Sequence, residues 1–110
     1  MPPSDPGVSN QDLEQLCSLF RLLSDTTRLS ILMRLGRSEC NVTTLCEELN
    51  LPQPTISHHL GLLRMNNLVA SRRYGKQVYY ILHGGVDPTT VMRFNVQNLT
   101  VHVYPVDHKE

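Results

Sequence analysis

The sequence predicts a mainly α-helical fold with one small β-hairpin. Apolar residues recur at helical spacing in four consecutive segments between residues 9 and 65. After Asn67 the pattern changes to two strand-like segments separated by a glycine-containing turn. The chain has 110 residues, the size of one domain, and can bury enough surface to fold without a metal ion or a disulfide.

Composition excludes several classes of protein. No apolar run approaches the ~20 residues that a membrane span requires. Residues 1–9 carry no basic residue and no apolar stretch, so we expect no signal peptide. Three cysteines (Cys17, Cys40 and Cys46) form an odd set, which argues against a disulfide framework and for a reducing compartment. We therefore expect a cytoplasmic protein with no membrane partner.

The net charge is zero, but the charges are unevenly distributed along the chain. Residues 1–50 have a balance of −3, residues 51–82 of +4, and residues 83–110 of −1. The middle segment contains no Asp or Glu at all. Such a segment suits a polyanionic partner, although chance alone can produce a gap of this length.

The first two helices are predicted from their caps and apolar spacing. Ser9 followed by Asp12 resembles a capping box, and the helix that it opens runs to about Leu23. Asp25 offers an N-cap to the second helix, and Gly36 is placed to end it in the left-handed conformation. The apolar residues that we expect on the core-facing stripes are Leu13, Leu16, Cys17, Phe20, Leu23, Leu29, Ile31, Leu32 and Leu35.

The next two helices form a helix-turn-helix pattern. Asn41 can cap the third helix, and Pro52 with its predecessor ends it. Pro54 fits the first turn of the fourth helix, where its missing N–H costs nothing. Two short helices joined by a three- or four-residue turn are typical of this motif. The expected inward residues are Val42, Leu45, Cys46, Leu49, Ile56, Leu60, Leu63 and Met65, and the outward ones are Gln53, Thr55, Ser57, His58, Gly61 and Arg64.

The segments 68–73 and 77–82 are predicted as strands that flank a turn at Gly75. A hairpin that follows a helix-turn-helix is a "wing", so the order of elements is ααααββ plus a C-terminal segment, a winged helix-turn-helix. The cations at or near the tip of this wing are Arg72, Arg73 and Lys76.

The C-terminal segment has mixed signals. Asp87 and Pro88 are a good helix start and predict a short helix from about residue 88. Residues 98–104 alternate like a strand, and we expect them to pair with a symmetry mate or with the wing sheet, leaving His102 on the polar face. The predicted organisation has three parts. Residues 1–8 are a disordered N-terminus, residues 9–86 are a winged helix-turn-helix domain of the DNA-binding type, and residues 87–110 are a candidate dimerisation element.

Three sequence blocks resemble the arsenical-resistance-repressor (ArsR/SmtB) family. They are LFRLLSDTTRLSIL at residues 19–32, QPTISHHLGLLR at 53–64 and RRYGKQVYY at 72–80. The resemblance covers about residues 13–82. It implies a homodimeric winged-helix transcription factor, usually a repressor that a metal ion, metalloid or redox signal releases from DNA.

The family's sensory residues do not carry over. Asn41 and Thr43 stand where the family's metal sensors have a Cys-x-Cys at the third helix, and Cys40 lies one residue before the first of them. The tail supplies ligand-type residues without the spacing of the family's C-terminal site, namely His83, Asp87, His102, His108 and Glu110. We therefore predict no metal and no cofactor, and the inducing signal stays open.

The predicted partner is double-stranded DNA. Ser57 and His58 are placed to read base edges from the fourth helix, whereas we expect His59 to pack against the domain. Arg64 and the wing cations suit phosphates or the minor groove. The predicted DNA-binding residues are Gln53, Thr55, Ser57, His58, Arg64, Arg72, Arg73 and Lys76.

An enzyme is not expected, because the sequence has no Gly-rich phosphate loop, no nucleophile elbow and no His-Glu-x-x-His helix. The predicted function is that of a homodimeric repressor on a palindromic operator. The alternative is a winged-helix module for protein–protein interaction without its own operator. Such modules typically lose the cations of the recognition helix and wing, which this sequence retains.

Overall fold

The computed structural model describes residues 7–85 and 89–106. These residues form four helices, a three-stranded sheet and a two-stranded sheet, and the predicted winged helix-turn-helix is confirmed. The elements are α1 (Asn10–Leu23), α2 (Thr26–Leu35), β1 (Cys40–Asn41), α3 (Val42–Leu49), α4 (Gln53–Met65), β2 (Val69–Tyr74), β3 (Gln77–Leu82), β4 (Met92–Val96) and β5 (Leu99–Val103).

Side-chain caps begin the first three helices, as predicted. The Ser9 hydroxyl accepts from the Asp12 backbone N–H, and the Asp12 carboxylate accepts from the Ser9 N–H, both at 3.0 Å. Asp25 caps α2 by accepting from Arg28 N at 2.9 Å, and Asn41 caps α3. These bonds satisfy N–H groups that the first turn of a helix leaves free.

The core lies between α2, α3, α4 and the three-stranded sheet, and it extends to Leu19 of α1 and to the buried row of β4. Its most deeply buried members are all aliphatic, which is what non-directional apolar burial favours. Residues with essentially no exposed surface are Ile31, Leu32, Leu35, Leu45, Ile56, Leu60 and Leu63. In the part of the chain that the structure describes, no helix is both long and apolar enough to cross a membrane.

The wing is the β2–β3 hairpin, which pairs antiparallel from Val69 with Leu82 to Tyr74 with Gln77. Gly75 has a φ of 62° in its turn, as the tight connection requires. The short strand β1 adds to the other edge of β3, so the sheet order is β1-β3-β2. The wing is thereby attached to the start of α3.

The C-terminal segment differs from the predicted short helix. Residues 92–96 form β4, which pairs antiparallel with β5, and Asp87 and Pro88 lie outside the described residues. The extended conformation expected for residues 98–104 is confirmed in β5. Its partner is β4 and not the wing sheet, because Phe94 lies in register with Val101 and β4 buries an alternating apolar row of its own.

The expectations for five individual residues are wrong. Gly36 ends α2 with a φ of −64°, a right-handed helical value, and Asn50 instead provides a left-handed end to α3. Met65 is 79% exposed rather than inward, because it lies in the last turn of α4 beyond the core. Cys17, expected on the core stripe, is exposed, because α1 buries the neighbouring stripe that contains Leu19. Leu13 and Phe20 share this outer face of α1.

The expected disordered N-terminus lies mostly outside the described residues, which begin at Gly7. His102 is exposed, as expected for the polar face of β5. Its ring stacks on Tyr104 with centroids 5.5 Å apart, and the Tyr104 hydroxyl lies 3.2 Å from His102 Nδ1.

Candidate nucleic-acid interface

Burial of one face of α4 orients the other face toward solvent. Ile56, Leu60 and Leu63 are buried at spacings of four and three residues, which determines which face of the helix meets the core. The predicted DNA-reading residues therefore lie away from the core. Gln53, Ser57, His58 and Arg64 are exposed, and Thr55 is half-buried.

The N-terminal end of α4 has no side-chain cap. Pro52 occupies the cap position, and it makes no side-chain hydrogen bond to the first turn. The N–H groups of Thr55 and Ile56 donate to the Pro52 carbonyl at 3.1 and 3.2 Å, and the positive end of the helix dipole favours an anion such as a phosphate. Gln53 and Thr55 stand at this end of the helix.

His59 turns back toward the domain, as expected. Its ring is half-buried, and its Nδ1 atom lies 3.4 Å from a guanidinium nitrogen of Arg28 in α2. The ring of the exposed His58 contacts it edge-on with centroids 5.4 Å apart. The two adjacent histidines therefore have different environments, one facing the core and the other facing solvent.

The wing presents three exposed cations and an aromatic side chain that sequence reasoning did not select. Arg72, Arg73 and Lys76 are all exposed, and Arg72 bonds to Tyr74 on the same face of β2. That hydrogen bond raises the pKa of Arg72 above its usual value. Tyr74 is also exposed and contacts Tyr79 edge-on at 5.3 Å. The position of Tyr74 next to Gly75, at the tip of the predicted wing, was the sequence signal that could have identified it.

A side-chain hydrogen bond ties the wing to the helix-turn-helix. Asn41 donates from Nδ2 to Gln77 Oε1 at 2.7 Å, while its own oxygen caps α3. Because Gln77 is the first residue of β3, this bond fixes the base of the wing turn relative to α3. The two residues are 36 positions apart in the sequence, so local sequence patterns could not predict this contact.

Cys40 lies in β1 and Cys46 in α3. Cys40 is buried, its thiol donates to the Asn41 carbonyl at 3.4 Å, and burial raises the pKa of that thiol. Cys46 is half-buried, less than expected. Among residues 7–85 and 89–106, no group of three or more His, Cys, Asp or Glu side chains could hold a metal ion. Asp87, His108 and Glu110 lie outside the described residues.

The sequence is similar to those of known transcriptional regulators. Residues 25–71 match the family described as "Bacterial regulatory protein, arsR family". The chain is 33% identical to the arsenical resistance operon repressor of Staphylococcus aureus, over 77% of this chain and 82% of that protein. It is 38% identical to the HTH-type transcriptional regulator KmtR of Mycobacterium tuberculosis over 72% of this chain, but spans only 63% of that relative's length.

Two solved structures of transcriptional regulators share this fold. The transcriptional regulator HlyU of Vibrio vulnificus superimposes with a TM-score of 0.63 at 36% identity, over 66% of this chain and 76% of that one. The transcriptional repressor BigR of Xylella fastidiosa gives 0.61 at 33% identity, over 67% and 77%. The sequence matches and the shared winged helix-turn-helix agree, and the chain therefore belongs to the arsR family of bacterial regulatory proteins.

Proposed function

We propose that this chain binds double-stranded DNA and acts as a transcriptional repressor. The observation that carries the proposal is the conformation of the acid-free segment, residues 51–82. It folds into α4 and the wing, and all four of its cations are exposed. Cations in such an arrangement suit phosphates, and the exposed polar residues of α4 suit base edges in a major groove.

We propose further that the chain binds its operator as a homodimer. The outer face of α1 exposes Leu13 and Phe20, at 42% and 50%, with Cys17 between them. Contiguous apolar surface is uncommon on monomeric proteins and marks interaction sites, and a second copy of the chain would cover this row. A two-fold dimer would place two α4 helices on a palindrome with half-sites about one DNA turn apart.

The alternative function, a module for protein–protein interaction, is less well supported. A surface that binds only protein does not require a 32-residue segment without acids. Nor does it require an uncapped helix N-terminus beside exposed Gln53 and Ser57. These features have a direct use in contact with a polyanion.

The test is a binding titration with duplex DNA from the region upstream of the protein's own gene. Fluorescence anisotropy at ~150 mM salt would compare this duplex with a scrambled duplex of equal length and composition. A specific repressor is expected to prefer its operator by about a thousandfold or more. Equal affinity for the two duplexes, or no affinity for either, would contradict the proposal. Sedimentation of the complex gives its stoichiometry, with two chains for each duplex expected.

A further inference from the structure

The guanidinium of Arg28 joins three helices at one point. It lies at the start of α2 and is 16% exposed. Its Nε donates to the Leu22 carbonyl of α1 at 2.6 Å, and one terminal nitrogen lies 3.4 Å from His59 Nδ1 of α4. The same nitrogen is 4.0 Å from the Asp25 carboxylate, which also accepts from the Arg28 backbone N–H.

We propose that Arg28 is the positioning residue of α4: by hydrogen bonding to His59 it sets the orientation of the helix face that carries Ser57 and His58. The proposal rests on the DNA-binding function proposed above, and it deepens that function by naming a residue that acts without touching DNA.

The chemistry of the two side chains fixes the direction of the bond. Arginine stays protonated and has only donors, so His59 Nδ1 is the acceptor. A neutral His59 then carries its proton on Nε2. Since the His58 ring rests edge-on against the His59 ring, the orientation of one histidine bears on that of the other. The position of Arg28 is itself fixed by α1 and by the cap of α2.

The apolar contacts of α4 do not by themselves set the rotational orientation of its outer face. Ile56, Leu60 and Leu63 keep the helix on the core, but apolar burial is non-directional and tolerates small rotations of a helix. A hydrogen bond weakens steeply when its angle changes. The Arg28–His59 contact is therefore suited to fixing the small rotation that base reading requires, because a shift of about an ångström can break a specific contact.

Two substitutions of His59 separate positioning from helix stability. In His59→Asn, the amide oxygen can take the place of Nδ1 as acceptor, whereas His59→Leu fills the space without an acceptor. Leucine has the higher helix propensity, so a purely structural role predicts that the Leu variant performs better. The proposal predicts the reverse order in operator affinity. We expect His59→Asn within about threefold of wild type and His59→Leu weaker by about tenfold or more.

A double-mutant cycle on operator affinity then tests the pairing. Arg28→Lys keeps the charge but loses the planar donor geometry. Combined with His59→Leu, it should weaken binding no further than the weaker single variant does. The control cycle combines Arg28→Lys with Arg64→Gln, an exposed change near the other end of α4, and should be additive. Additivity in the first cycle, or a Leu variant that binds as well as the Asn variant, would overturn the proposal.

A measurement without DNA distinguishes failure of this inference from failure of the proposed function. Ring ¹⁵N shifts of His59 in the wild-type protein should show the Nε2–H tautomer, and Arg28→Lys should change them. A proton on Nδ1 of neutral His59 would overturn the inference even if the operator is bound. Conversely, a wild-type protein that binds no DNA would refute the repressor proposal, while the ring shifts would still decide whether the Arg28 contact exists.

Discussion

Gly36 lies so close to the carbonyl oxygen of Val91 that a Cβ atom at Gly36 would overlap it. The contact brings the segment that leads into β4 against the C-terminal end of α2. Because Gly36 has right-handed helical angles, any residue could adopt its backbone conformation. Close approach of two backbones, and not left-handed geometry, explains why glycine stands there.

Gly36→Ala is therefore expected to destabilise the protein although alanine favours helices. The added methyl group must push the Val91 backbone away, at a cost of about 1–3 kcal/mol in the free energy of unfolding. Gly61→Ala is the matched control, since a Cβ at Gly61 meets nothing within 4 Å. That change, inside α4, should stabilise the protein by about 0.5–1 kcal/mol. Urea unfolding of both variants measures the difference, and equal effects would contradict the role of the contact.

Acid should destabilise the protein in part through Asp12. Its carboxylate accepts from the Ser9 backbone N–H at 3.0 Å and meets the Asn98 N–H at 3.5 Å. The bond from Ser9 holds the pKa of Asp12 below its usual value of 3.8, even though burial acts in the opposite direction. A depressed folded-state pKa gives stability that is complete above the unfolded-state pKa and is lost as the pH falls through the folded-state value.

Asp12→Asn should accordingly lower the unfolding free energy at neutral pH and flatten its decline below about pH 4. Glu14→Gln, on the exposed side of the same helix turn, is the control and should leave the profile close to that of the wild type. Chemical unfolding at a series of pH values gives both curves. An Asn variant with the same acid sensitivity as the wild type would show that Asp12 does not contribute.

The parts of the fold that the sequence could predict are those determined by residues close together in the chain. Ser9, Asp25 and Asn41 cap their helices through bonds to residues three positions away, so the caps are readable from short windows. The wing follows from alternation around Gly75. The strand β4 was missed because its five residues are a short signal and its stability comes from pairing with β5, which no local window contains.

The candidate site was predictable in its residue types but not in its internal contacts. Exposed polar residues on α4 follow from the spacing of Ile56, Leu60 and Leu63. The contacts of Arg28 with His59 and of Asn41 with Gln77 span 31 and 36 residues. Both depend on how the side chains of separate elements meet, and periodicity carries no information about that.

The wing cations are expected to supply affinity without sequence preference. Arg72→Ala combined with Arg73→Ala should weaken binding to every duplex, and the slope of log K against log salt should fall by about 0.9 for each lost phosphate contact. Arg37→Ala, an exposed change in the turn after α2, is the control and should alter neither quantity. If the double variant bound DNA as tightly as the wild type does at ~150 mM salt, these wing residues would not contact the phosphate backbone of the DNA.

The exposed residues of α4 are expected to supply sequence preference. Ser57→Ala and His58→Ala should each change which operator variants bind best, by roughly tenfold at the affected base pair. Arg64→Ala should instead lower affinity for all variants alike, as loss of a phosphate contact does. Selection from a pool of randomised half-sites measures both effects. An unchanged preference in both the Ser57 and His58 variants would indicate that α4 does not read bases.

The three cysteines should report the proposed dimer interface through their reactivity. Cys17 is exposed on the outer face of α1, Cys46 is half-buried, and Cys40 is buried with its pKa raised by that burial. Maleimide should therefore modify Cys17 fastest in dilute protein and Cys40 slowest at any concentration.

If a second copy covers the outer face of α1, the rate of labelling at Cys17 should fall as the protein concentration rises, while the rate at Cys46 stays constant. Phe20→Glu should keep the fold, since Phe20 is half exposed, and abolish the concentration dependence. Peptide mass spectrometry after timed labelling resolves the three sites. A dimer by sedimentation with Cys17 equally reactive at all concentrations would place the interface elsewhere on the molecule.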